Sequence, residues 1–358
     1  MESPLTLHEK GWRMPAEWEP HAATWMSWPS RENTSFPDGD HHDRILPVFL
    51  EMIRAITSSE PLYLNCTDPA DRAYLQANLD PATLAKLILT DIPAVYPWCR
   101  DHGAIFIVND QLGQVAATSW TYNAWGGKYP EAFPDNEISA AMAHLLGLPN
   151  FEAGLVLEGG SIDPNGCGTV LTTESCLLNP NRNPHLTRPQ IEAHLRDWLG
   201  FEKVLWLHDG IIGDDTDGHI DDITRFINPE TVLTVIESDP TDPNYQPLEE
   251  NYQRLCRMTT EDGSPLNVIT LPMPAPVIID GVRLPASYAN FYIANTIVLL
   301  PIFDDPHDAE AIATLQEAFP DRHIAPINSR ALVWGLGSFH CLTQQVPAPR
   351  RPLADTSD

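Results

Sequence analysis

Ile223-Thr224-Arg225-Phe226-Ile227-Asn228-Pro229-Glu230-Thr231-Val232-Leu233-Thr234-Val235-Ile236 sets two runs rich in β-branched and aromatic residues on either side of an Asn-Pro-Glu turn. Branched and aromatic side chains suit a pleated surface, whereas Asn and Pro interrupt it, so the stretch reads as a strand pair folded back on itself. The same arrangement recurs along the chain. Ala104 to Val108 turns at Asn109 to Gly113 and returns through Gln114 to Ala117. Gly159 to Ile162 turns at Pro164-Asn165-Gly166 and returns through Thr169 to Thr172, and Asn290 to Ile293 turns at Ala294-Asn295 and returns through Ile297 to Leu300. Helical spacing of apolar residues follows several pairs, as at Arg188 to Leu199 and Asp308 to Ala318. A further pair joins Phe339 to Leu342, near one end of the chain, to Thr24 to Trp28, near the other, and would close a ring. Repeated strand pairs of this kind predict an α/β propeller rather than a doubly wound sheet, which needs single strands alternating with helices. No low-complexity linker divides the chain, so residues 1–358 are expected to form one domain, with 346–358 as a flexible tail.

Polar or reactive residues stand at or just before the first strand of each unit: Asp101, Glu158, His219 with Asp221, Asn290 and Cys341. In a ring these positions would face a common axis. The acid-rich stretch Gly213 to Asp222 does not fit a calcium-binding EF-hand loop, because aligning on Gly218 puts Gly213 and Thr224 where acids are required. The spacing of Asp217, His219 and Asp221 also resembles one motif of the manganese ureohydrolases, but the chain lacks the second acid cluster and the further histidine motif those enzymes need. Cys341 follows the glycine-containing run Gly335-Leu336-Gly337-Ser338, whose small residues would let a ligand approach the backbone. Read as a strand, Phe339 to Leu342 would point His340 and Cys341 to opposite faces, so a base for the thiol must come from elsewhere.

Composition narrows the partners. With 21 basic and 49 acidic side chains the formal charge is −28, a field that repels phosphate backbones and concentrates cations. Nucleic acid is therefore excluded as an expected partner and a small cation favoured. The apolar runs are far too short to span a bilayer, and residues 1–10 lack the apolar core of a secretion signal, so a cytoplasmic location is expected. Six cysteines without a C-x-x-C motif read as free thiols rather than a disulfide framework. The 34 prolines, nearly twice the usual share, predict many stiff loops.

Seven segments together resemble the agmatine deiminase branch of the guanidino-modifying superfamily, which also contains peptidylarginine deiminases. They are Met14 to His21, Trp98 to Asp101, Leu157 to Gly160, Leu177 to Pro184, Gly213 to Asp222, Ala286 to Tyr292 and Phe339 to Gln345. The resemblance implies a five-bladed pseudosymmetric α/β propeller of ββαβ-like units, no metal or organic cofactor, and homo-oligomeric assembly. It implies an active site of Cys341, His219, Asp101, Glu158 and Asp221. Asp101 and Asp221 would grip a guanidinium, Cys341 would attack its carbon, His219 would act as acid and base, and Glu158 would orient them. Trp98 and Asn290 are further candidates for substrate contact.

The chain departs from the usual pattern where Asp101 is followed by His102-Gly103-Ala104, and at Leu336 and Ser338 before the cysteine. Agmatine is the expected substrate, with free or peptidyl arginine as alternatives. Other classes to be tested against it are an amidinotransferase, a manganese hydrolase and a non-catalytic cation binder.

Overall fold

The computed structural model describes residues 5–31, 36 and 39–349. Its architecture is mixed α/β, built from five mixed sheets and one separate two-stranded hairpin, Ile278–Ile279 with Val282–Arg283. Four sheets share one plan: an antiparallel pair, a crossover helix, and a third strand parallel to the second. They comprise Ile105–Asn109, Gln114–Thr121 and Asn150–Val156, then Asp163–Pro164, Thr169–Thr173 and Lys203–Leu207. Next come Thr224–Asn228, Thr231–Ile236 and Asn267–Pro272, followed by Tyr292–Ile293, Ile297–Ile302 and His323–Asn328.

The fifth sheet is closed by both ends of the chain. Thr343–Pro347 lies antiparallel to His21–Ser27, which pairs in parallel with Leu62–Asn65 and, beyond it, Leu87–Thr90. The strand expected at Phe339 to Leu342 is instead a turn, with pairing beginning at Thr343 opposite Met26. Val346 and Pro347, expected in the flexible tail, end this buried strand, and the Ala348 N–H donates to the Pro20 carbonyl at 2.7 Å. The rest of the expected tail, 350–358, lies outside the described residues.

The expected strand at Gly159 to Ile162 is mostly a 3-10 turn, Gly159–Ser161, leaving only Asp163–Pro164 to pair. Close approach explains it: Cβ atoms added at Gly159 and Gly160 would come within 2.3 Å of the Arg100 carbonyl oxygen and 2.6 Å of His219 Nδ1.

The crossover helices bury one stripe each. Arg188–Leu199 is held at its start by the reciprocal Thr187–Gln190 capping box and stopped by Gly200 in the left-handed conformation. It buries Ile191, Leu195 and Leu199, each contributing about 1.5–3 kcal/mol. The central strands are buried on both faces, as at Val232, Leu233 and Val235.

Candidate active site

Cys341 sits in the turn before the C-terminal strand, 5 % exposed, at the inner end of a cavity of about 310 Å³. Asn290 fixes it. The Asn290 Nδ2 donates to Cys341 Sγ at 3.1 Å and to Asp222 Oδ1 at 2.9 Å, while its Oδ1 accepts from the His340 and Cys341 amides at 3.0 and 3.4 Å. The amide is thus directed at the sulfur and its backbone rather than at the open cavity. Asp221 Oδ2 lies 3.5 Å from Sγ and 2.7 Å from His340 Nδ1. His340, on the turn rather than on a strand, reaches Glu17 with its other ring nitrogen at 2.8 Å.

Asp101 enters from a one-turn helix, Cys99–His102. It accepts from Trp125 Nε1 at 2.9 Å and the Gly160 amide at 3.1 Å, and one of its oxygens is 3.7 Å from His219 Nδ1. Glu158 is held by Arg182 Nε at 2.6 Å, and Arg182 is itself anchored by Asp217 at 2.7 Å. Glu158 Oε2, Asp221 Oδ1 and both ring nitrogens of His219 are buried without a hydrogen-bond partner among the described residues. Such atoms are costly to bury unless a ligand meets them.

Burial and like charge set the ionisation. Burial pushes the Cys341 thiol well above its ordinary value, and Asp221, Asp222 and Asp101 push it further. Burial raises Asp101, with Asp221 and Glu158 adding to the shift against the opposing pull of His219. Burial opposes ionisation of Asp221, but the hydrogen bond and charge of His340, with His219 and Arg225, hold it below the ordinary carboxylate value. Burial alone would lower His219, yet Asp101, Cys176 and Asp221 outweigh it and raise it well above.

The cavity wall is aromatic: Tyr96, Trp98, Trp125, Tyr129 and Trp334 surround a space with Asp101 and Cys341 at one part and Asp215 at another. Trp98 packs over Gly335 and Gly337, where added Cβ atoms would fall 2.8 and 2.7 Å from its ring. A small chamber walled by π faces and carboxylates suits a flat, delocalised cation. Of the candidates, Cys341, Asp101 and Trp98 line the cavity, while Asn290 and Asp221 touch Cys341, His219 lies 3.7 Å from Asp101, and Glu158 lies within 4.8 Å of His219.

The Porphyromonas-type peptidyl-arginine deiminase model matches residues 13–347. The chain belongs to that family. An agmatine deiminase of Ectopseudomonas mendocina is 37% identical over 368 residues, covering 96% of this chain and 98% of the relative. One from Pseudomonas aeruginosa strain LESB58 is likewise 37% identical over 369 residues, with 97% and 98% covered. The solved agmatine deiminase of Enterococcus faecalis superposes with a TM-score of 0.88 at 33% identity, covering 98% of this chain and 99% of that one. This likeness carries the mixed α/β fold of the family across the whole chain.

Sequence reasoning passed over several residues that this member of the family places at the site. Asp222 was overshadowed by Asp221, although both are buried and Asn290 bonds Asp222. Trp125 and Leu336 line the cavity with φ of 53° and 70°, left-handed values rare for such residues. The neighbouring Gly126-Gly127 pair was the signal available for Trp125. Glu17 and Arg182 lay inside two of the segments that carry the resemblance, yet only their burial reveals why: each neutralises charge at or beneath the site.

Proposed function

We propose that the chain is an agmatine deiminase, hydrolysing agmatine to N-carbamoylputrescine and ammonia through a covalent amidino-cysteine. The observation that carries this reading is that Cys341 and Asp101 line an aromatic cavity while the buried Asp221 and His219 lie 3.5 and 3.7 Å from them. The guanidinium's N–H donors meet Asp101 and the unpartnered oxygens of Asp221 and Glu158, which orient it and offset the cost of removing it from water. Its positive charge lowers the otherwise raised thiol pKa, so substrate itself favours the thiolate. As substrate binds, the thiol proton passes to solvent, and the Cys341 thiolate Sγ bonds to the guanidinium carbon while the C=N π pair moves onto nitrogen. The resulting tetrahedral adduct collapses by breaking one C–N bond, and His219 as imidazolium gives its proton to the departing ammonia. Neutral His219 then takes a proton from water, the water oxygen bonds to the same carbon, and the C–S bond breaks as that hydroxyl becomes the ureido carbonyl, its proton passing to the departing sulfur to restore the Cys341 thiol.

Agmatine is favoured over free arginine by the cavity wall. Among the described residues lining it there is neither Lys nor Arg to receive an α-carboxylate; Asp215 lines it too, with its carboxylate shared by Lys128 at 3.4 Å and the Tyr129 hydroxyl, and a second ammonium would compete with Lys128 there. The named relatives support the same choice. A product assay resolved by mass, with agmatine, free arginine and an arginine peptide side by side, tests it. The expected result is equal ammonia and carbamoylputrescine from agmatine, insensitive to chelator; preferential citrulline formation from arginine or the peptide would overturn the substrate. Transfer of the amidine to an amine acceptor would identify an amidinotransferase instead.

The same proposal includes a five-bladed propeller, supported by five sheets whose starts deliver Asp101, Glu158, Asp221, Asn290 and Cys341 to one place. It also includes work in a reducing cytoplasm, supported by six unpaired cysteines, and homo-oligomeric assembly, which light scattering would read. No described helix is long and apolar enough to cross a membrane.

A further inference from the structure

Cys176 makes no bond to substrate in the chemistry above and touches it only by helping to raise His219, beside which it is fully buried. Its sulfur, a nitrogen of His219 and an oxygen of Glu158 all lie within 4.8 Å of one another. We propose that Glu158, Cys176 and His219 form an inhibitory site for a thiophilic divalent cation such as Zn²⁺. Sulfur, imidazole nitrogen and carboxylate oxygen are the donor types zinc prefers, and small side-chain adjustments bring three such atoms onto one ion with bonds of about 2.0–2.3 Å.

The donors are available. Both ring nitrogens of His219 are buried and unpartnered among the described residues, and Arg182 occupies only Oε1 of Glu158, leaving Oε2 unpartnered. Arg182 counts against a cation electrostatically, but its charge is shared with Asp217 at 2.7 Å. In the competing cluster, Asp221, Asp222 and Cys341, Asn290 holds Asp222 Oδ1 and Cys341 Sγ and His340 holds Asp221 Oδ2, leaving Asp221 Oδ1 unpartnered. None of the three donors lines the cavity, and the lining residue next to them is Asp101, one of whose oxygens is 3.7 Å from His219, so an ion entering from the cavity passes Asp101.

Ligation replaces the thiol proton, and the ring proton where the imidazole is charged, with the metal; those protons pass to the buffer. The bound ion then withholds the His219 lone pair and the Glu158 oxygen from the reaction. The inhibitory part of the inference rests on the deiminase reading, whereas the binding part does not.

The test uses Zn²⁺ for inhibition and Co²⁺ for spectroscopy on the full chain, comparing wild type with C176A, C176S and C341A. Zinc is expected to inhibit wild type reversibly, with activity restored by chelator. C176A is expected to remain folded and active while its sensitivity falls about a hundredfold, at least what loss of an outer-shell partner costs. C176S guards against a packing defect in the alanine variant. The Co²⁺–thiolate absorption band is expected in C341A and not in either Cys176 variant, a result independent of turnover. A band or zinc sensitivity that persists in C176A and C176S, or that vanishes in C341A, would overturn the assignment, as would absence of both effects in wild type.

Discussion

The Cys341 sulfur lies 3.5 Å from an Asp221 oxygen, with Asp222 and Asp101 also close enough to hold the thiol in its protonated form. His219 is shifted upward too, so the resting pair at neutral pH is thiol and imidazolium. The proposed mechanism therefore requires a proton to leave Cys341 while His219 keeps its own. The kcat/KM profile is expected to rise through neutrality and peak on its alkaline side, because both folded pKa values lie above their ordinary ones; a maximum below pH 7 would contradict these ionisation states. Gly160 offers a second test at this scale, since an added Cβ would fall 2.6 Å from His219 Nδ1 and 2.8 Å from an Asp101 oxygen. Gly160→Ala is expected to fold while losing about 10²-fold in kcat/KM, the cost of displacing reacting groups by about an ångström. Unchanged kinetics would show that the His219–Asp101 geometry does not matter.

At the scale of elements, the N-terminal segment matters through one residue. Glu17 accepts from His340 at 2.8 Å, Arg100 at 3.0 Å and the Ile293 amide at 2.8 Å, and lies 3.0 Å from Arg225, all in the interior. Burial opposes its charge, but Arg225, His340 and Arg100 hold it well below the ordinary carboxylate range. Its contribution to stability is therefore complete above the ordinary carboxylate pKa and is lost as pH falls through the lower folded value. Glu17→Gln is expected to cost about 3–5 kcal/mol in urea unfolding, because it leaves buried cations uncompensated. A loss below about 1 kcal/mol would mean the network is not a unit. Elements with a strong local signal were legible: both helices read from apolar spacing, Arg188–Leu199 and Asp308–Ala318, have those bounds. The strands at Gly159 to Ile162 and Phe339 to Leu342 were not, because there tertiary approach to Arg100, His219 and Asn290 decides the backbone rather than propensity. The convergence of the strand starts was readable from the repeats. The aromatic wall was not, since Trp125, Tyr129 and Trp334 come from turns with no period of their own.

Over the whole molecule, closure depends on the two ends of the chain meeting. Truncation after Leu342 removes Thr343–Pro347, leaves His21–Ser27 without its antiparallel partner and deprives Arg100 of its 2.7 Å bond to Gln345. Loss of cooperative thermal unfolding is expected; an unchanged Tm would show that the fifth sheet stands without closure. The net charge of −28 acts at this scale as well. Screening beyond about 10 Å at 0.1 M salt weakens attraction of a cationic substrate, so KM for agmatine should rise with ionic strength, and a falling KM would remove charge from the account of substrate capture. In the proposed mechanism all of these features serve one covalent event. Mass analysis of enzyme quenched during agmatine turnover, followed by peptide mapping, is expected to find an amidino group on Cys341 in wild type and none in a folded, inactive Cys341→Ser variant. Turnover by that variant, or an adduct on a different cysteine, would contradict the assignment of Cys341 as the nucleophile.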